Sequence, residues 1–252
     1  MRASGWGPLA QALVLWSCVC GAPAAAGDAP ILHDFPSTDP LKNRIFFSSG
    51  LDVAHDSAFA WAGVDAAPLG LLNEDGLRLR IFGGAGRYRY RTDATFSGFN
   101  EANVLSAEVL AGFRRSSANA AITLYAGPHI EEQRLAEPDH ANTAAGTALG
   151  VKAAIEVYAR LGPVWLVNAS ASASTVNRAH HARAALMREL SPVFAVGIEG
   201  AVYGDARYVE PRSGIFVSMT YARTVFTLAG GVLSNSDKGG GAYATLSLYA
   251  PY

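Results

Sequence analysis

The feature that most constrains this chain is an alternation of apolar and polar residues that restarts repeatedly until the last residue. Residues 147–161 read TALGVKAAIEVYARL. Leu149, Val151, Ala153, Ile155, Val157, Ala159 and Leu161 are apolar, and between them stand Lys152, Glu156, Tyr158 and Arg160. Side chains on a β-strand alternate faces with a period of two, so this segment makes a strand with one apolar and one charged face. Half the residues of the chain are apolar. Strands of this kind must bury their apolar faces in a core or turn them to lipid as a closed barrel. Beyond residue 26 no stretch approaches the ~18–20 uninterrupted apolar residues of a spanning helix. The longest, 58–72, is broken by Asp65 and Pro68.

Residues 1–26 read as a cleaved secretory signal peptide. Arg2 supplies the basic start, residues 9–20 (LAQALVLWSCVC) the apolar run, and Ala24-Ala25-Ala26 a cleavage site before Gly27. Both cysteines, Cys18 and Cys20, fall in this segment. The remaining chain therefore has no disulfide framework, thiolate metal site or cysteine nucleophile. Residues 27–43 hold three prolines and read as a periplasmic lead-in, and 44–252 as one barrel domain. A net charge of −1 gives no basic footprint for nucleic acid.

The alternation predicts twelve strands, over about 45–54, 58–67, 77–91, 104–114, 121–132, 147–161, 165–175, 181–190, 194–203, 213–222, 224–234 and 242–252. The eighth contains ARAALMREL, which equally suits helical turns. In the third, the apolar parity flips between LRLRI and RYRYR, and Gly83-Gly84-Ala85-Gly86 at the flip predicts a bulge or glycine kink. Connections after the third, fifth, ninth and eleventh strands read as long loops (TDATFSGFNEAN, RLAEPDHANTAAG, GDARYVEP, NSDKGGG) and most others as short turns. One-sided loop length belongs to outer-membrane barrels. Phe46, Phe47, Tyr88, Tyr90, Phe113, Trp165, Phe194, Tyr221 and Tyr249 lie near strand ends, where interface girdles place aromatics. Tyr252 ends the last amphipathic strand, similar to the assembly signal of bacterial outer-membrane proteins, although Pro251 departs from it. The expected fold is all-β: an antiparallel transmembrane barrel of about twelve strands behind a cleaved signal peptide, in the cell outer membrane.

No Walker loop, HExxH, GxSxG or Cys/His metal spacing is present, so no catalytic, cofactor or metal residue is predicted. His180 and His181 are adjacent and on a strand point to opposite faces. Asp65, Arg78, Arg80, Glu108, Glu131, Lys152, Glu156, Arg160 and Glu199 all oppose apolar neighbours. A lipid-facing Arg or Lys at mid-depth costs about 2–4 kcal/mol, so these charges are expected inside. There they form either an ion-pair network that fills the barrel or a polar pathway or binding surface. Trp61, Tyr125, Tyr158 and Tyr203 share the inward parity. Aromatic faces beside charged groups suit carbohydrate rings, and space-filling suits them equally. A small-solute channel or purely structural barrel stays open. So does a lipid hydrolase, which needs a Ser and a His at one membrane-interface level; His129 and His140 are its candidates.

The hairpin AFAWAGVDAAPLGLLNEDGLRLRIFGGAGRYRYRT (58–92) resembles the cellulose biosynthesis protein BcsS family. LSAEVLAGF (105–113), ITLYAGPHIEEQRLAEPD (122–139), GVKAAIEVYARLGPVWLVNASASAS (150–174), PVFAVGIEGAVYGDARYVEPRSGIFVS (192–218) and SNSDKGGGAYATLSLY (234–249) continue the likeness in order. It covers roughly residues 46–250 and rests on the series, since no single segment is diagnostic. The resemblance implies a non-enzymatic outer-membrane accessory to bacterial cellulose or related exopolysaccharide, in export, anchoring or surface organisation. Its implied partners are outer-membrane lipid, the polysaccharide and other cellulose-synthesis components. It brings no catalytic residues or cofactor to carry over.

Overall fold

The structure, a computed structural model, describes residues 43–252; the signal peptide and nearly all of the lead-in lie outside the described residues. All regular elements among the described residues are strands: β1 (Ile45–Ala54), β2 (Ser57–Ala66), β3 (Gly76–Arg91), β4 (Phe99–Ser116), β5 (Ala120–Leu135), β6 (Gly146–Arg160), β7 (Trp165–Ser174), β8 (His180–Ser191), β9 (Phe194–Gly204), β10 (Val209–Tyr221), β11 (Thr224–Asn235) and β12 (Gly239–Pro251). Each pairs antiparallel with its sequence neighbours. β12 closes on β1 from Tyr243↔Ala54 to Pro251↔Phe46, so the sheet is a twelve-stranded closed barrel. Tyr252 extends the seam: its N–H donates to the Ile45 carbonyl at 2.7 Å, and its carbonyl accepts from Arg44 and Ile45 N–H. Closure leaves no strand edge unpaired, which a spanning sheet in hydrocarbon requires.

Period two sorts every strand into an outer and a lumenal face. Leu51, Ile81, Val109, Leu124, Val151, Ile198, Ile215, Leu228 and Leu246 are exposed on the outside. The charged residues between them are buried in the lumen. A soluble fold inverts that distribution, whereas lipid rewards it. β8, ambiguous in sequence, follows the same rule, with His181, Ala185 and Met187 buried and His180, Ala182 and Ala184 exposed.

Four expectations are corrected. The flip in β3 is no bulge: β3 pairs with β2 and β4 in unbroken register, and even-numbered residues face inward along its whole length. Arg78 and Arg80 point in, whereas Arg87, Arg89 and Arg91 point out. The surroundings change, since the upper strand has left the hydrocarbon. The irregularity lies instead at Phe194/Ala195 in the β8–β9 pairing. Next, part of two expected loops is paired strand, because β4 starts at Phe99 and β5 runs to Leu135. Third, the connection 67–75 is the longest at the end that carries both termini of the barrel, so loop length is less one-sided than the sequence implied. Finally, four of the nine supposed girdle aromatics, Phe46, Tyr88, Tyr90 and Tyr249, are buried in the lumen. Phe47, Phe113, Trp165, Phe194 and Tyr221 do face out, and all five sit at the end bearing the termini. By its turns and girdle this is the periplasmic end.

Inward glycines make the large lumenal rings possible. A Cβ on Gly50 would lie 2.3 Å from the Trp61 ring, on Gly86 2.0 Å from Phe59, on Gly112 2.5 Å from Tyr125 and on Gly197 2.3 Å from Phe216. Each ring therefore lies flat over a neighbouring strand's backbone, where any other residue would collide with it.

Candidate functional site

Among the described residues the lumen is where polar chemistry is concentrated away from water, and it is built in layers. At its centre Arg80 on β3 faces Asp65 on β2 and Glu156 on β6. Its Nε donates to Asp65 Oδ1 at 2.8 Å, and Nη2 lies 2.7 Å from Glu156 Oε1. The guanidinium sits 4.2 Å from the centroid of the Tyr125 ring, and the Tyr125 hydroxyl donates to Asp65 at 3.1 Å. Beside this group Lys152 Nζ pairs with Glu108 Oε2 at 2.8 Å. All six side chains are under 10% exposed. Buried charges persist only when paired and hydrogen-bonded, and here the partners come from neighbouring strands of one arc, β2 to β6. The cavity between them, lined by Arg80, Glu108, Lys152, Glu156, Ser170 and His181 among others, has a volume of about 20 Å³. That is room for about one water.

A second ionic group spans β1 and β8–β12. Arg183 pairs with Glu199, which also accepts from the Tyr243 hydroxyl at 2.7 Å. Arg212 bonds both oxygens of Asp52, at 3.0 and 2.9 Å, and also Glu210. It lies over the rings of Tyr203 (4.6 Å) and Tyr243 (5.1 Å). Apolar clusters fill the gaps: Phe46, Trp61, Phe82, Val225 and Tyr249 form one, and Leu166, Met187, Phe216 and their neighbours another.

The extracellular mouth is capped. The Tyr90 hydroxyl and Thr92 donate to Asp139 at 3.1 and 2.8 Å, and Asn100 donates to the Glu137 carbonyl at 2.8 Å. Arg207, in the connection 205–208, reaches Asn142, Thr143 and the Ala141 carbonyl. The hydroxyl of Thr92 leads the donors that hold the Asp139 carboxyl below its usual range. Burial pushes Asp205 the other way, up to about 9, against the pull of Arg207. Below the cap, Glu131 accepts from Gln133 and Asn177 at 2.7 Å each, and Gln133 accepts from the Tyr88 hydroxyl at 2.7 Å.

All thirteen lumen residues singled out in sequence lie on inward strand faces, but they form no single surface. Asp65, Arg80, Glu108, Tyr125, Lys152 and Glu156 come together at the centre. Glu199 and Tyr203 belong to the second group, and Glu131 lies beneath the cap. Arg78 instead locks the periplasmic connection 67–75, donating to the carbonyls of Leu71, Leu72 and Glu74. Arg160 grips both oxygens of Glu189 at the periplasmic end. Trp61 stacks on Phe82 at 5.8 Å, while Tyr158 packs against the other apolar cluster, so the two make no common platform for a sugar ring. Asp52, Arg183, Glu189, Glu210, Arg212 and Tyr243 were missed, although Asp52 between Leu51 and Val53 carries the same alternation signal.

Of the hydrolase candidates, His129 Nδ1 lies 2.8 Å from Ser174 Oγ, with Glu108 directly across from His129 in the β4–β5 register. His129 and Ser174 are buried and turned to the lumen, away from lipid. Among the described residues no three His, Cys, Asp or Glu side chains converge to hold a metal ion.

Comparison with known proteins adds the following. The model of the family described as cellulose biosynthesis protein BcsS matches residues 45–251. No curated protein matches the chain. Among solved structures the barrel is similar to LpxR from Salmonella typhimurium (TM-score 0.51, 11% identity, 82% of this chain and all of that one). It is also similar to the translocator domain of autotransporter NalP from Neisseria meningitidis (0.49, 10%, 86% and 90%). A third similar structure is the KdgM porin (0.47, 7%, 82% and 99%). At these identities the likeness is one of fold alone.

Proposed function

Because this chain belongs to the cellulose biosynthesis protein BcsS family, we propose that it serves bacterial cellulose production as a non-enzymatic outer-membrane accessory that anchors or organises the polymer at the cell surface. The observation that carries this reading is the buried, mutually paired charge of the lumen. Its central charges are paired with one another along β2 to β6, a second ionic group lines β1 and β8–β12, and the cavity beside the central charges holds about one water. A glucan chain is far wider, so passage through the barrel would require breaking that network. Polymer contact then falls to the outer loops and strand ends, which lie on the side where cellulose accumulates. The fold supports the outer-membrane placement through its lipid-facing belt and girdle.

In a clean deletion strain, surface cellulose measured as cellulase-released glucose should fall while polymer synthesis by isolated membranes persists. Unchanged surface cellulose, under conditions where the gene is expressed, would rule the role out. Two other readings make different predictions. A small-solute channel requires conductance from the purified barrel in planar bilayers, and the packed centre predicts none. A hydrolase has the His129–Ser174 contact in its favour; lipid hydrolysis that disappears in Ser174→Ala would establish it.

A further inference from the structure

On its upper extension β3 presents Arg87, Arg89 and Arg91 on the outer face, all exposed. The guanidinium groups of Arg89 and Arg91 lie over the Phe99 ring, 4.3 and 5.9 Å from its centroid. Register sets Arg87 beside Asn103 on β4, and Asn103 beside Arg134 on β5. The acids in this stretch are Glu101, opposite Arg89, and Glu132, which holds Arg134 at 2.8 Å. Asp237 accepts from the Arg91 backbone N–H at 3.2 Å, and Asp56 stands beside Arg89, whose backbone N–H donates to the Asp56 carbonyl at 2.9 Å. Among the described residues Arg87, Arg89 and Arg91 make no side-chain ion pair.

Directly below these arginines the outer face becomes shallow. Ala60 pairs with Ala85 and Ala62 with Gly83, and Gly83 in turn pairs with Ala107. Leu105 and Val109 stand along one side. β9 to β11 carry large outward residues such as Ile198, Ile215, Leu228 and Val232. A second shallow run, Ala169, Ala171, Ala173, Ala182 and Ala184 on β7 and β8, has among the described residues no row of strand arginines above it. An arginine facing hydrocarbon costs about 2–4 kcal/mol, so the arginine stretch marks the level at which the outer face leaves the lipid tails. A cationic rim above an apolar trough matches an amphiphile with anionic groups at the headgroup level. The Phe99 ring holds the Arg89 guanidinium at 4.3 Å, and a guanidinium so placed suits forked bonding to phosphate oxygens.

We propose that the outer face of β2–β5 is a binding site for one phosphate-bearing glycolipid of the outer leaflet, its phosphates on Arg87, Arg89 and Arg91 and its acyl chains in the Ala60–Ala62–Gly83–Ala85–Ala107 trough. The proposal rests on the outer-membrane reading. The shared chemistry is a phosphate monoester, and the trough commits the site to a lipid rather than a free anion.

The test uses the purified full-length barrel in nonionic detergent, titrated with bisphosphorylated lipid A. Each arginine near a charged lipid surface contributes about a fivefold effect, so Arg87→Gln/Arg89→Gln/Arg91→Gln should bind about a hundredfold more weakly. Dephosphorylated lipid A should lose a similar factor on the unaltered protein. Ala107→Phe, which fills the trough and leaves the arginines in place, should weaken binding about tenfold. Arg188→Gln, altering an outward arginine that lies over Trp165 at the periplasmic end, should change nothing. The compact band on unheated SDS gels reports that each variant is folded. Undiminished binding by the folded triple variant overturns the proposal. Equal affinity for dephosphorylated lipid A, or saturation by inorganic phosphate alone at the same concentrations, does so too. Fractionation separates the two readings: a wild-type chain absent from the outer membrane defeats the location, and a membrane-resident chain indifferent to phosphate defeats only this site.

Discussion

The central ion group makes a quantitative claim about stability. Arg80 holds two carboxylates, Asp65 at 2.8 Å and Glu156 at 2.7 Å, in a layer where all three side chains are under 10% exposed. Arg80→Met keeps the volume and removes the charge, leaving two buried anions without their cation. Breaking a buried pair in this way costs about 3–5 kcal/mol. Asp65 retains the Tyr125 hydroxyl as a donor at 3.1 Å, so the lower half of that range, about 3–4 kcal/mol, is expected. The companion variant Asp65→Asn/Arg80→Met/Glu156→Gln removes all three charges at once. Since replacing a whole buried ionic cluster is often neutral, it should recover to within about 1 kcal/mol of wild type. Urea unfolding in phospholipid vesicles, followed by fluorescence of lumenal Trp61 and lipid-side Trp165, measures both. A loss below about 1 kcal/mol in Arg80→Met would show that water reaches the layer and screens it. A triple variant as unstable as Arg80→Met would show that packing, rather than charge pairing, governs the layer. Either result would refute the reasoning, and the first would also reopen the channel reading.

Two further outcomes are expected. Asp205, buried beneath the cap and raised to about 9, favours its neutral form in the folded state. Its unfavourable contribution is therefore absent in acid below the ordinary carboxylate range and grows as pH rises toward 9. Asp205→Asn should be close to neutral near pH 4 and stabilising by up to about 4 kcal/mol at pH 7, read from unfolding midpoints across pH; equal effects at both pH values would contradict the assignment. The β10–β11 turn places Ala222 and Arg223 at φ of 48° and 71°, a left-handed pair that Asn-Gly adopts more readily. Ala222→Asn/Arg223→Gly should stabilise the barrel by about 1 kcal/mol, and a loss of stability in the same unfolding assay would count against that turn geometry.

The closed barrel and the inward charges of β6 were legible because a strict period of two and the cost of a charge in lipid admit only one arrangement. The misreading of β3 has a physical cause. Apolar alternation reports which face meets hydrocarbon, so once the strand rises into water, inward Tyr88 and Tyr90 look apolar beside outward Arg87 and Arg89 although the geometry never changes. For the same reason residues 99–103 and 134–135, where Asn100, Glu101, Asn103 and Arg134 break the apolar alternation, looked like loop. Buried Phe46 and Tyr249 passed as girdle residues because a lumen partly filled by apolar rings erases the contrast between faces at the strand ends. Which inward side chains touch was not legible at all. The arrangement of Trp61 over Gly50, or of Arg212 between Tyr203 and Tyr243, depends on shear and on partners far apart in sequence.

β3 to β6 run 16, 18, 16 and 15 residues, whereas β1, β2 and β7 have ten each. The rim is therefore oblique, with a wall on one side and a low sill on the other. A round barrel embedded in a fluid sheet has no heading, and anything it carries inherits none. This one has a front and a back in the plane of the membrane, so a fibre or neighbour resting against the wall would meet it from one side only. Many copies, each lodged against the same kind of neighbour, would then give the cell surface a compass rather than a scatter of anchors.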